Sequence, residues 1–204
     1  MFFLQTNTHW FAGVEAFDRK LFFLVNNQLA NHFFDTIMPF LREANIWVPL
    51  YLFMLVFALV NFGKRGLWWV LFVVCAVALC DLVSSHLIKE FIFRVRPCRD
   101  PALAGHIRVL ANYCPQSSSF TSSHATNHFG LATFFVITLR KYTGSWINLF
   151  FVWAAIICFA QVYVGVHYPV DVVSGGLLGS LLGYVIAAFF NNYVGLISLQ
   201  NKKA

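Results

Sequence analysis

Residues 46–62 read IWVPLYLFMLVFALVNF, and residues 67–88 read LWWVLFVVCAVALCDLVSSHLI. The first run carries no charged side chain, and the second carries only Asp81 before its polar end. Each approaches the roughly 20 residues a helix needs to cross a hydrocarbon core. A helix apolar all round has no face for water, so it belongs in lipid or deep in a large core. Blocks at 121–139, 146–165 and 170–190 have the same character. The expected fold is therefore an all-α integral membrane bundle of five transmembrane helices, with a sixth left open. One membrane domain fills 1–204: an N-terminal helix at 18–43, a transmembrane core at 46–190 and a cytoplasmic tail at 191–204.

Composition agrees. The 204 residues are 59% hydrophobic and 11% charged, with 24 Phe, where a soluble domain carries about 25% charged residues. The opening MFFLQTNTHW lacks a basic region and a small-residue cleavage site, so no signal peptide is expected. The net charge of +6 comes without a basic run interleaved with exposed aromatics, which argues against nucleic acid as a partner. The cations divide between short loops and one motif, suiting a bilayer and an anionic phosphate.

Outward from that core, residues 21–41 are apolar at 21, 25, 29, 33, 37 and 40 but interrupted by Asn26, Asn27, Gln28, Asn31, His32 and Asp35. This spacing predicts an amphipathic interfacial helix rather than a span. Lys64 and Arg65, Arg140 and Lys141, and Lys202 and Lys203 fall on one side of a five-helix bundle. The positive-inside rule assigns that side to the cytoplasm, leaving 89–120 and 166–169 facing outward. Cys98 and Cys114 flank the outward loop, where a disulfide is permitted. Cys75, Cys80 and Cys158 read as small buried hydrophobes. Gly175, Gly179, Gly183 and Ala187 form a stripe for close helix packing. Trp10, Trp47, Trp68 and Trp69 lie near helix ends, as interfacial aromatics do.

Polar residues are costly near a membrane, yet here they crowd into three outward helix ends. These are Lys89 to Arg99, Ser117 to His124, and Gln161 to Asp171. Lysine and arginine donors match phosphate oxygens. Ser122 and Ser123 stand at a helix start, where free amides favour an anion. His124 and His167 can divide the work of acid and nucleophile. Asp171, four residues beyond His167, can orient its ring as the third member of a triad does. No zinc-like spacing or glycine-rich nucleotide loop is present, so neither metal nor cofactor is expected. The sum is metal-free phosphoryl transfer through a phosphohistidine.

Lys89 followed after six residues by Arg96-Pro97, then Ser122-Ser123-His124, then His167 with Asp171 four residues on, resembles the three motifs of the type 2 phosphatidic acid phosphatase family, of the vanadium-haloperoxidase-like superfamily. The resemblance implies that Lys89 and Arg96 bind phosphate, Ser122 assists, His124 protonates the leaving group, His167 attacks phosphorus and Asp171 supports His167. It implies a lipid phosphomonoester or pyrophosphate as substrate. Undecaprenyl pyrophosphate, phosphatidylglycerol phosphate, phosphatidic acid and a lipid A phosphate all remain open, as does the oligomeric state. The site would face the periplasm from a bacterial inner membrane. The alternatives are a lipid phosphotransferase and a non-catalytic lipid-phosphate binder or flippase.

The pattern departs from the family at Thr121 and Ser123, where Pro and Gly are usual, and at Gln161, where the third motif has arginine. Gln161 can hydrogen-bond phosphate but brings no charge, so Arg99, on a loop beyond Pro97, is expected to supply the missing cation. Arg94 would point away, roughly 160° around from Arg96 on a continuing helix. His128 reads as a hydrogen-bonded interhelical histidine, and Asp81 as a structural carboxylate facing the bundle.

Overall fold

The computed structural model describes residues 9–197, and every regular element among them is helical. Helix α1 (His9–Phe23) continues into a π-helical turn, Leu24–Gln28. Helix α2 (His32–Leu41) starts afresh behind Asn31, whose side chain accepts the Phe34 amide at 2.9 Å. Helix α3 (Val48–Phe62) carries Pro49 in its first turn, where the lost amide had no helical partner. Helix α4 (Lys64–Asp81) passes through a π-helical stretch, Leu82–Ile88, into a last turn, α5 (Lys89–Phe91). After an irregular segment come α6 (Ser123–Thr143), α7 (Leu149–Tyr163) and α8 (Pro169–Tyr193).

Four stretches are long and apolar enough to cross a membrane: Ala44–Phe62, Lys64–Phe91, Ser123–Tyr163 and Pro169–Tyr193. The chain is a multi-pass membrane protein. The third stretch holds two helices, α6 and α7, parted by a 3-10 turn that opens at Gly144 with φ 67°. The sequence blocks at 121–139 and 146–165 thus fall in one apolar stretch as separate helices.

Helix α6 forms the centre, with Ala125, Phe134 and Leu139 fully buried. Val60, Leu67, Leu177 and Leu181 of α3, α4 and α8 face outward, as side chains do where lipid replaces water. The α6–α8 contact depends on the glycine stripe. A Cβ at Gly179 would strike the Thr126 backbone, and one at Gly183 the Gly130 backbone, so any larger residue would pry the helices apart. Trp69 departs from its expected interfacial place: it is buried and donates to Thr138 Oγ1 at 2.8 Å. Its neighbour Trp68 is the exposed one. The Trp10 side chain lies outside the described set.

At one end of the bundle Arg65 donates to the Val194 carbonyl at 2.9 Å, and the Tyr142 hydroxyl donates to the Leu196 carbonyl. The basic turns at 64–65 and 140–141 therefore share that end with the close of α8. Lys202 and Lys203 lie outside the described residues. The other end gathers α5, the start of α6, the end of α7 and the start of α8.

The N-terminal segment differs from the single amphipathic helix expected over 18–43. The chain breaks at 29–31, where Asn31 caps α2, and Leu29, Phe33 and Phe40 of the supposed apolar stripe are exposed. The buried positions are instead Asp18, Phe22 and Asn26 on α1 and its extension, and Met38 and Arg42 at α2. Each set keeps a four-residue spacing, so both are helical faces, but the inward faces are partly polar. They dock onto protein. Asn26 donates to the carbonyls of Arg108 and Tyr163 at 2.8 Å each, and Arg108 pairs with Asp35 at 2.5 Å.

Candidate active site

Helix α5 ends at Phe91, and Ile92 is already extended (φ −121°, ψ 104°). Pro97 disfavours a helical Arg96, which sits at φ −73°, ψ 149°. The extended run is held by Ser119, whose amide donates to the Arg94 carbonyl at 2.8 Å, and by Ser118, whose hydroxyl donates to the Ile92 carbonyl at 2.8 Å. Extended residues two apart share a side. Arg94 and Arg96 therefore both turn inward, while Phe91 and Phe93 stand 84% and 73% exposed. This overturns the expectation that Arg94 points away: the helix on which that angle was reckoned stops at Phe91, before either arginine.

Arg94 bridges two buried carboxylates, Asp18 and Asp171, at 2.6 Å each, with its guanidinium 4.1 Å from the Tyr168 ring centre. Burial works against its charge, but the two carboxylates outweigh it and raise its pKa. Arg99 is exposed, and its side chain makes no hydrogen bond to a described residue. It does not join the site, because the 3-10 turn Pro97–Arg99 carries it outward. Cys98 and Cys114 form a disulfide with Cα atoms 6.1 Å apart, pinning this loop.

Asp171 lies in the first turn of α8 and is fully buried. It accepts from the Tyr168 amide at 2.8 Å, Ser119 Oγ at 2.5 Å and Arg94. His167 Nδ1 stands 3.6 Å from Asp171 and 3.4 Å from Ser119 Oγ. Ser119, whose proton goes to the carboxylate, is thus an acceptor toward His167 and links it to Asp171. On the far side of the ring, Arg96 approaches His167 Nε2 at 2.9 Å. A guanidinium can only donate, so Nε2 carries the lone pair and Nδ1 the proton. Burial first, and Arg96 with it, lower the His167 pKa to about 4 despite the Asp171 contact. At neutral pH the ring is uncharged, with its free nitrogen facing arginine.

The second half of the site centres on α6. Ser122 is its N-cap, accepting the Ala125 amide at 3.4 Å, so its hydroxyl serves the helix start. Ser123 receives Lys89 Nζ at 2.8 Å and lies 2.8 Å from Ser85 Oγ, which donates to Asp81 at 3.0 Å. The hydroxyl that replaces the family's glycine therefore holds Lys89. Asp81 lies at the end of this chain, as a structural carboxylate would. His124 and His128 stack in parallel 6.3 Å apart, and His128 Nδ1 donates to the His124 carbonyl at 2.7 Å. His128 packs 4.7 Å from Trp153 of α7, but its hydrogen bond stays within α6 and Nε2 is unpartnered among the described residues, so the interhelical hydrogen bond expected of it is not made. Gln161 is fully buried, with neither Nε2 nor Oε1 partnered among the described residues.

A cavity of about 650 Å³ opens beside this half. Its polar end holds Asp81, Ser123, His124 and Asn127, and its wall runs along Met54, Val73, Trp69 and Phe135 of α3, α4 and α6. The constellation joins a neutral buried histidine, a second histidine at an apolar slot, and cations matched to phosphate. Among the described residues no group of three His, Cys, Asp or Glu side chains is placed to hold a metal ion.

Sequence reasoning missed Asp18 and Ser119. Asp18 was legible in principle as a charge in phase with Phe22. Ser119 carried no signal beyond its serine-rich surroundings.

The family model described as the PAP2 superfamily matches residues 66–194. The lipid A 4'-phosphatase of Bacteroides thetaiotaomicron is 30% identical over 78% of this chain and 71% of its own length. The undecaprenyl-diphosphatase of Sulfolobus acidocaldarius is 30% identical over 83% of this chain and 77% of its own. The crystal structure of the PAP2-type phosphatidylglycerolphosphate phosphatase from Bacillus subtilis superposes with a TM-score of 0.67 at 21% identity, covering 92% of this chain and 89% of that one.

Proposed function

Since this chain belongs to the PAP2 superfamily, we propose that it hydrolyses a lipid phosphomonoester or diphosphate through a phosphohistidine on His167, without a metal ion. That it is a membrane lipid phosphate phosphatase rests on its family and its relatives. The finer reading rests on one observation above all. His167 keeps Nε2 unprotonated among cations while Nδ1 faces Ser119 and Asp171.

In this reading the His167 Nε2–P bond forms as the bond from phosphorus to the lipid oxygen breaks. His124 gives that oxygen its proton. A water then attacks phosphorus, loses its proton to His124 and frees His167. Lys89 and the amides at the start of α6 hold the phosphate oxygens, beside the positive charge of Arg96. Asp171 keeps the tautomer and steadies the positive charge that His167 gains on phosphorylation. The carboxylates near the nucleophile are already ion-paired to Arg94, which leaves poor ligands for Mg²⁺.

The apolar cavity beside His124 suits a hydrocarbon tail entering sideways from the bilayer. With α3, α4–α5, α6, α7 and α8 as five crossings, the basic turns lie inside and the site faces the periplasm of a bacterial inner membrane. The relatives' names favour a lipid A phosphate or an undecaprenyl diphosphate over other lipid phosphates.

The decisive experiment is phosphate release by purified protein from lipid A, undecaprenyl diphosphate, phosphatidylglycerol phosphate and phosphatidic acid, each with EDTA. Release from at least one, within twofold of the rate without EDTA, is expected. Loss on chelation that Mg²⁺ restores would overturn the metal-free mechanism, and no release from any would leave a lipid-phosphate binder.

A further inference from the structure

The three cations nearest His167 are not equally free. Arg96 spends every N–H it has. Nε goes to the Ser117 carbonyl, Nη1 to the Val166 carbonyl and His167, and Nη2 to Ser117 Oγ and the Ser118 carbonyl. Arg94 is committed to Asp18 and Asp171. Lys89 keeps its bond to Ser123. The position where the family has a further arginine holds the neutral Gln161. Yet a phosphate dianion needs donors to spare.

Arg42, directly after α2, has them. It is 4% exposed, and its Nε is buried without a partner. Its one ion pair among the described residues is with Glu43 at 3.8 Å, and Glu43 is about half exposed. The Tyr113 ring lies 6.0 Å from its guanidinium carbon. A charge taken this far out of water normally finds close acceptors, so this guanidinium is poised for an anion. Its surroundings are those of the site. One turn earlier, Met38 packs with Ala160 and Val166, the chain neighbours of Gln161 and His167. Two residues later, Ala44 lines the cavity that holds His124. Burial first, with the charge of Arg42 adding to it, brings the Arg96 pKa down to about 10 against the opposing pull of Asp171.

We propose that Arg42 is a phosphate-binding residue of this site, supplying from the N-terminal helical segment the cation that Gln161 does not. The assignment rests on the reading of the His167 pocket as a phosphate site. It places a binding residue outside the stretch that the family model matches, residues 66–194.

The test uses inorganic phosphate as a ligand, followed by the thermal unfolding midpoint of the purified protein, beside steady-state kinetics on the best lipid phosphate. Arg42→Gln should raise the half-saturating phosphate concentration and KM by about 10- to 100-fold, as loss of one or two charge-assisted hydrogen bonds would. Arg42→Lys should recover part of the loss, and adding Gln161→Arg to Arg42→Gln should recover part as well. Arg140→Gln, at the opposite end of α6, should leave both readouts unchanged. Phosphate half-saturation and KM within twofold of wild type in Arg42→Gln would overturn the proposal. If that variant does not fold, the same limits applied to Arg42→Lys decide. Phosphate binding that depends on Arg42 in a protein that hydrolyses no lipid would uphold this assignment and sink the catalytic one. Turnover indifferent to residue 42 would do the reverse, and no response of the wild type to phosphate or to lipid would overturn both.

Discussion

The two halves of the site differ in how their polar groups are held. Around His167 every group is engaged: Ser119, Tyr168 and Arg94 converge on Asp171, Arg96 is saturated, and Asp18 also accepts the Val170 amide at 2.8 Å. Around His124 the opposite holds, with His128 Nε2 and Asn127 Oδ1 unpartnered among the described residues. A buried polar group without a partner costs roughly 1–3 kcal/mol, so the second half carries a strain that a bound headgroup can relieve. The first half is built for orientation and the second for binding. The contrast matches the division between attacking a phosphorus atom, which needs fixed geometry, and receiving a lipid, which needs open donors.

The contrast breaks most visibly at His167. His167→Ala should cut phosphate release by at least about a thousandfold while the unfolding midpoint stays near wild type; activity within tenfold would end the phosphohistidine reading. Asp171→Asn should cost about 10²- to 10³-fold in kcat with little change in KM, through loss of tautomer and orientation. A dominant rise in KM would instead place Asp171 on the binding side.

Titration of His167 sharpens the same point. Its pKa, lowered to about 4 from the ordinary 6.5, leaves the ring neutral down to nearly that pH. Between 6.5 and 4 the unfolded chain binds the extra proton, so this group makes stability fall as the pH drops through that window. Nitrogen chemical shifts of His167 in the free protein should stay those of the Nδ1–H tautomer from pH 8 to about 5. A midpoint near 6.5 would contradict the geometry.

Smaller effects belong to the loop. Cys98→Ser with Cys114→Ser should lower stability by about 3 kcal/mol, the chain-entropy value for a loop of about 15 residues, and lower activity less than Asp171→Asn does. Arg99→Ala should change kcat/KM by less than about twofold, since its side chain leaves the site.

The membrane helices were legible because a bilayer demands long apolar runs. The three polar helix ends were legible because charge near lipid is costly enough to mark function. Most of the missed parts share one cause: they depended on where a helix stops. Arg94 was assigned to the wrong side because α5 ends at Phe91 and the chain becomes extended, changing the side-chain period from 3.6 to 2. Arg42 and Asp18 were overlooked because the apolar stripe was traced through the break at 29–31, which put the inward face one residue out of phase. Trp69 and Trp68 show the same limit, since adjacency on a helix places one in the core and its neighbour in lipid.

Asp18 ties together parts of the chain made far apart in time. One carboxylate oxygen accepts from Arg94 and the other from the Val170 amide, partners 76 and 152 residues downstream. During synthesis α1 emerges first and must wait, its carboxylate not fully matched, until the start of the last helix has been made. The geometry around His167 therefore cannot exist on a partly inserted chain. Completion of the site therefore doubles as a check that α1, the Arg94 segment and the start of α8 have found their places.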